Sequence, residues 1–297
     1  MIINNANLNS LYTGFSAAFS RGFKGVESEW AKIATEVPST TGANEYGWLK
    51  EIPGFREWIG DRHINSIAND GYRLKNRRFE QTVGVKSTDI DDDNIGIYAP
   101  LFRQLGQNSA EFPDTLVFEL LEGAFDTECY DGQNFFDSDH PVLDKDGAVV
   151  SVSNTGGGSG AAWYLLDVRH ALKPLIYQSR KKFDQLVRKD QPTDDNVFFR
   201  DEYIYGSDGR GEVGFGFWQM AYGSKQTLNA ENYAAARAAL GTVTGDHGKK
   251  LGIKGTLLVV PQTLEGPARK ILMNDLGSGG ETNEWKGSAD LHVSAWL

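Results

Sequence analysis

Cysteine is nearly missing from this sequence: Cys129 stands alone among 297 residues. One thiol excludes an intrachain disulfide framework and a cysteine-based zinc site, and it suits a reducing compartment. Histidine is sparse as well, and His63, His140, His170, His247 and His292 are scattered without ligand spacing. No His-Glu-x-x-His pair, Gly-x-x-x-x-Gly-Lys-Ser/Thr phosphate loop or Gly-x-Ser-x-Gly elbow occurs. No run approaches the roughly 20 apolar residues of a membrane helix. The opening Met-Ile-Ile-Asn-Asn-Ala-Asn-Leu lacks the basic-then-apolar layout of a signal peptide, so the chain reads as soluble and cytosolic. Positive charge is also short, with 30 Lys+Arg against 40 Asp+Glu, a net of -10 and a pI near 5.0. That balance excludes a dedicated nucleic-acid binder, which needs a basic footprint. It leaves room for a container whose inner wall touches DNA weakly.

What is present is glycine and aromatics. Thirty-four glycines, 16 Phe, 11 Tyr and 7 Trp favour β-rich structure with bends over a helical bundle. The length suits one large domain or two modest ones. Leu8, Leu11, Phe15 and Phe19 recur at helical spacing, and Trp30, Ile33 and Val37 suggest a second short amphipathic piece stopped by Pro38. Such an arm has too little of its own core to cover an aromatic stripe, so it is expected to lie on a neighbour.

Residues 56–88 carry β-type residues interleaved with charge, and Asp70-Gly71 is a hairpin signal. Arg56, Arg62, Arg73, Lys75, Arg77, Arg78 and Lys86 outnumber Glu57, Asp61, Asp70 and Glu80 by three, which leaves -13 on the rest of the chain. A basic ribbon on an acidic body is a candidate self-complementary contact, steered by charge. A solvated two-stranded ribbon explains the composition equally well.

Thr88 as cap and Asp89, Asp91, Asp92 and Asp93 at the positive dipole end predict a helix. Its stripes are Tyr98, Leu101, Phe102, Leu105 and then Leu116, Val117, Leu120, Leu121. Pro113 predicts a kink or break between them, and Gly123 a stop. Further on, strands are expected over 163–167, 175–177, 213–223, 256–260 and 289–297. Helices are expected over 169–173, from the Asn229 cap to Leu240, and over 264–272. The Gly/Ser-rich run 153–161 reads as a mobile loop.

Little of this carries chemistry. Gly209, Gly211 and Gly214 fit the dinucleotide pattern, but a strand follows where a helix is required. Asp131, Asp137, Asp139 and His140 could form an oxygen-rich metal site with one imidazole, which opens the alternative of a metal-dependent hydrolase. The closing Glu of a calcium loop is absent, and Asp and Asn favour turns by bonding their own backbone. A structural loop is therefore preferred. Cys129 has no basic partner nearby, and the sequence offers no nucleophile, base or cofactor box.

Several segments resemble the major head subunit family of Mu-like phages. They are Tyr46-Gly-Trp-Leu-Lys-Glu-Ile-Pro-Gly-Phe-Arg-Glu-Trp-Ile-Gly-Asp-Arg62, Lys75-Asn-Arg-Arg-Phe-Glu80, Val83-Gly-Val-Lys-Ser-Thr-Asp-Ile-Asp-Asp-Asp93, Pro113-Asp-Thr-Leu-Val-Phe-Glu-Leu-Leu121, Tyr130-Asp-Gly-Gln-Asn-Phe-Phe-Asp137, Asp139-His-Pro141, Leu258-Val-Val-Pro-Gln-Thr-Leu-Glu265 and Val293-Ser-Ala-Trp-Leu297. Their collinearity spans nearly the whole chain. The resemblance implies the α+β, Hong Kong 97-type capsid fold of tailed-phage and herpesvirus shells. Its parts would be an N-terminal arm (1–50), an extended hairpin loop (51–88), a spine helix (89–124), an axial domain with peripheral strands (125–275) and a returning strand (276–297).

It further implies self-assembly into hexamers and pentamers of an icosahedral shell around double-stranded DNA, a virion location after assembly in host cytoplasm, and scaffolding and portal partners. It implies no cofactor, metal or catalytic residue. The expected subunit contacts are Arg56, Arg62, Arg73, Lys75, Arg77, Arg78 and Lys86 on the hairpin, with Leu11, Phe15, Phe19 and Trp30 on the arm. A bacterial nanocompartment shell on the same fold is the nearest alternative.

Overall fold

A computed structural model describes residues 4–50, 71–92, 94–277 and 279–297. The chain opens with helix α1, Asn5–Lys24, where the Asn4 side chain accepts the Asn7 N–H at 2.9 Å. Arg21 and Lys24 sit in its last turn, at the negative dipole end. The segment after it is not the helical piece its spacing predicts. A 3-10 turn at Trp30–Lys32 feeds strand β1, Ala34–Pro38.

Strands β2, Ala43–Tyr46, and β3, Tyr72–Lys75, pair antiparallel, Tyr46 opposite Tyr72. This pairing brings the chain just before residue 47 beside the chain just after residue 71. Gly71 stands at this loop base, where a Cβ would lie 2.7 Å from the Gly47 nitrogen. It is not the tip of a hairpin, as the Asp70-Gly71 signal suggested; Asp70 lies outside the described residues. Strand β4, Arg77–Lys86, follows.

The long helix begins later than its acidic run implies. A single turn, α2 (Ser87–Asp91), precedes α3, Tyr98–Glu122, and the Tyr98 hydroxyl donates to the Asp89 carboxylate across the break. Thr88 lies inside α2 and is not its cap. Pro113 does not divide α3. Its missing N–H costs one intrahelical bond, and the same stretch is held from outside. Ser28 donates to the Ala110 carbonyl, while the Gln81 amide donates to the Leu105 carbonyl and the Ser109 hydroxyl.

The remaining elements run as strands β5 (His140–Leu143), β6 (Val149–Val152), β7 (Thr155–Gly158), β8 (Trp163–Leu166), β9 (Leu175–Lys181) and β10 (Val187–Lys189), then α4 (Asp195–Arg200) and β11 (Glu202–Phe215). They continue as β12 (Ala221–Lys225), α5 (Ala230–Thr242), β13 (Thr244–Gly245), β14 (Lys249–Lys250), β15 (Leu257–Pro261), α6 (Glu265–Leu272) and β16 (Asp290–Ser294). Asn229 caps α5 as predicted, accepting the Asn232 N–H at 2.8 Å. The predicted helix over 169–173 is a bend, where the Asp167 carboxylate takes the Arg169 N–H and guanidinium. The Gly-rich run expected to be mobile supplies β7, paired in parallel with β12.

Two five-stranded sheets organise the chain. In the first, β11 is the long member: β4 runs along one edge, and β9 and β10 lie end to end along the other. β1 completes this sheet by parallel pairing with β9. The second has the order β16-β15-β8-β12-β7, all four β8 residues being buried. Between the layers, Phe118, Leu121, Phe135, Phe136, Phe215 and Trp218 form one apolar cluster. α5 and α6 cover a second, around Trp163, Leu258 and Tyr233. A third joins α1 to α3 and β11.

Candidate functional site

The arm does not wait for a neighbour. Phe15 stacks on Phe102 with centroids 4.1 Å apart, and both rings meet Tyr205 edge-on at 5.4 Å. The backbones touch because both helices have glycine at the crossing. A Cβ on Gly22 would lie 1.9 Å from the Arg103 carbonyl oxygen, and one on Gly106 would lie 2.0 Å from that of Phe19. Leu8, Phe15 and Phe19 are buried, each contributing about 1.5–3 kcal/mol. Phe15 and Phe19 are therefore core residues of their own subunit, which corrects their expected role as contacts. Trp30 packs 4.8 Å from Tyr177 of the same chain, and Leu11 is half-buried beside the α1–α3 cluster.

The loop base differs. Arg73, Lys75, Arg77, Arg78 and Lys86 are all exposed; Arg56 and Arg62 lie outside the described residues. In β3, Arg73 and Lys75 flank the inward Leu74, and in β4 Arg78 and Lys86 lie on the face opposite the inward Val85; Arg77 has the parity of Val85 and is exposed at the start of the strand. Arg77 is committed within the chain: its guanidinium grips Glu212 with two bonds of 2.7 Å. That bidentate bond holds its pKa above the ordinary arginine value. Arg77 is thus already paired within its own chain while its side chain stays exposed. Arg73, Lys75, Arg78 and Lys86 make no ion pair with a described residue. Arg73, Lys75 and Arg210 converge with Asn44, Glu45 and Asn76 on a cleft of about 760 Å³. The buried Arg210 Nε has no hydrogen-bond partner among the described residues.

The Asp131–His140 loop forms a hydrogen-bond network. His140, fully buried, lies flat against Trp218 at 3.9 Å. Its Nδ1 meets Asp131 at 2.7 Å, and its Nε2 meets the Asn154 carbonyl oxygen at 3.2 Å. The Cys129 thiol donates to the other Asp131 oxygen at 3.1 Å. Burial first, then the Asp131 charge, pushes the thiol pKa well up, away from the thiolate a metal needs. Asp131 is held below the ordinary carboxylate range: burial opposes this, but the bonds from His140 and Cys129 outweigh it. Asp137 and Asp139 do not join the group. The Asp137 N–H donates to Asn154, and Asp139 accepts from Ser151. Cys129, Asp131 and His140 could place three donors around an ion, yet each already has a partner. Within the chain these residues are tied together by hydrogen bonds, with Asp137 and Asp139 outside the Cys129–Asp131–His140 group.

Sequence reasoning missed Arg210 and Asp114. Asp114 accepts the Glu29 and Trp30 N–H groups at 2.8 and 2.6 Å, fixing the turn before β1. Burial raises its pKa to about 6. Neither residue carries a local signal, since each is defined by partners far along the chain. Phe198 and Phe199 also went unremarked. They stand exposed on α4, and their only signal is two aromatics inside a charged stretch.

The profile of the family described as Mu-like prophage major head subunit gpT matches residues 8–297. The chain is 42% identical over 306 residues to the major capsid protein of Escherichia phage Mu, covering all of both chains. It is 45% identical over 276 residues to the Mu-like prophage FluMu major head subunit of Haemophilus influenzae, covering 91% of this chain and 89% of that one. Among solved structures, the procapsid of bacteriophage JBD30 superposes with a TM-score of 0.86 at 42% identity, over 99% of this chain and 100% of that chain. The JBD30 capsid gives 0.76 at 32% identity, over 100% and 99%.

Proposed function

The chain belongs to the Mu-like prophage major head subunit family, and from that premise we propose how its copies meet. It is a major capsid protein of the tailed-phage capsid fold, a shell-forming subunit and not an enzyme. The copies form hexamers and pentamers of an icosahedral shell, assembled in host cytoplasm with scaffolding and portal proteins. Double-stranded DNA is enclosed without sequence preference, as suits a chain of net charge -10. The working division is an arm to residue 50, an extended loop over 51–88, a spine to 124, an axial domain with peripheral strands to 275 and a returning strand.

The observation that carries the contact is the β2–β3 pair, with the exposed cations Arg73 and Lys75 on it and Arg78 and Lys86 on the strand that follows. Arg56 and Arg62, between β2 and β3 in sequence, add to the same positive charge. An acidic neighbouring body supplies the complement, and the Arg210 cleft takes a carboxylate. Charge of this kind sets encounter rate and register more than final affinity. Reversing Arg78 to Glu tests the reading. Purified subunits should melt unchanged, while particles scored by sedimentation become fewer. Normal particle yield would remove the loop base from the interface.

A further inference from the structure

α4 holds a knob built for burial. Phe198 and Phe199 are 79% and 77% exposed, the most exposed large apolar side chains among the described residues. Their rings meet edge-on at 5.0 Å. The platform beneath them is tied down. The Asn196 amide donates to the Lys189 carbonyl at 3.1 Å and the Glu202 carbonyl at 2.7 Å, bridging the ends of β10 and β11. Asp201 caps the helix in the left-handed region (φ 58°), and its backbone carbonyl and carboxylate are both bonded from Ser87. A surface turn does not need such anchoring to keep two phenyl rings in water.

A matching socket lies elsewhere on the same chain. Phe23, Trp30, Pro113, Tyr177 and Phe183 line a cleft of about 140 Å³ between α3 and the β1–β9 pair. A dry apolar cavity of roughly 150 Å³ accepts a benzene ring, so this cleft has room for one phenyl group. Its rim carries Lys182, whose side chain is 65% exposed and 3.3 Å from Glu36. The knob is flanked by Asp194 and Asp195 before it and by Arg200 after it, and Glu36 lines the cleft beside Lys182, so both surfaces carry charge of each sign and the match between them is one of apolar shape. A subunit cannot fill its own socket. The knob adjoins Glu202, while the cleft adjoins Ser179, which pairs with Gly211. Nine residues of β11 separate those points, roughly 30 Å of extended strand.

We propose that the Phe198–Phe199 knob of one copy seats a ring in the Trp30–Phe183 cleft of the next. The contact joins unlike surfaces, so repetition closes a ring where the rotation allows. It rests on the reading that copies meet in ringed capsomers, and it supplies an apolar anchor where the loop base supplies charge.

The test uses the full chain in particle assembly. The double substitution Phe198→Ala and Phe199→Ala should leave the circular dichroism and melting of unassembled subunits unchanged. It should raise the concentration needed for particles by about tenfold or more, the loss of one aromatic anchor. Separately, Phe199→Cys combined with Ser28→Cys, which lines the cleft, should give a ladder of disulfide-linked multimers from oxidised particles on non-reducing gels. Neither single cysteine should. Unchanged assembly of the double alanine variant overturns the knob. Lost assembly without a ladder overturns the socket. A parent chain that forms no particle at all would instead overturn the shell reading beneath both.

Discussion

The α1–α3 pair and the loop base around β3 and β4 lie within residues 5–122, and opposite physics holds them. α1 is closed on its own subunit: Phe15, Phe102 and Tyr205 form a dry aromatic cluster, and Gly22 and Gly106 let the backbones touch. At the loop base, Leu74 and Val85 point inward while four cations stay in water without an ion-pair partner among the described residues. An apolar stripe must be covered at once, and any fitting face will do, including one of the same chain. A cation has no such urgency, because water solvates it until a partner arrives. A charged surface is therefore easier to keep in reserve than a long apolar stripe.

The sharpest way to break this contrast is to force the helices apart. Gly106→Val puts side-chain atoms where the Phe19 carbonyl now sits, and should cost about 3 kcal/mol or more in a denaturant melt. Gly14→Ala is the control. Gly14 faces open space in the same helix, and alanine there should gain about 0.5–1 kcal/mol. Equal effects at the two sites would mean that the close crossing does not hold the arm.

Next comes Asp114. Its alanine variant removes the acceptor for two backbone N–H groups and should lose about 2 kcal/mol. Asn keeps the accepting oxygen and should retain most of that. The pH dependence separates the two. The folded pKa is raised to about 6 from 3.8, so the folded chain binds the proton more tightly than the unfolded one. That contribution is fully present below 3.8 and is lost as pH rises through 6. His292 opposes it. Burial, and then Lys32, lowers its pKa below 6.5, so acid favours the unfolded chain just under that value. Melting curves across the acid range should show Asp114→Asn removing the gain on acidification and His292→Gln removing the loss.

Smaller effects mark the loop base. Arg77→Glu sets two carboxylates together at Glu212 and should destabilise the subunit by about 0.5–1 kcal/mol, with pairing restored by Glu212→Arg. Arg78→Glu should change subunit stability by less than about 0.5 kcal/mol. If the two variants lower particle yield equally, the Glu212 bond is irrelevant to the contact. Smallest of all is a chelator. The Cys129 thiol is held protonated beside Asp131, so metal removal should leave the melting curve where it was.

Much of this was legible in the sequence where the determinant is local. Asn229 caps α5, Leu257–Pro261 and Asp290–Ser294 are strands, and Glu265–Leu272 is a helix, all near their expected places. The failures have distant causes. Trp30, Ile33 and Val37 fit a helical period, but β1 is extended because Leu175–Ser179 offers it a parallel partner. The glycines at 156–158 look like a loop until β12 is set beside them. Surface cations on β3 and β4 could be read from alternation, whereas the Arg77 partner is 135 residues away. The arm stripe was correctly seen as needing cover; what the sequence did not disclose is that the cover belongs to the same chain.

That cover has a cost in time. The Tyr12 hydroxyl bonds the Leu186 carbonyl, and Phe15 rests on Tyr205, so α1 leaves the ribosome well before the strands it rests on. Until those strands emerge, its sticky face is bare, and sequence-distant pairings form slowly. Newborn subunits therefore pass through a vulnerable interval in the crowded cell, and the dose of chaperone available then should govern how many become usable building blocks.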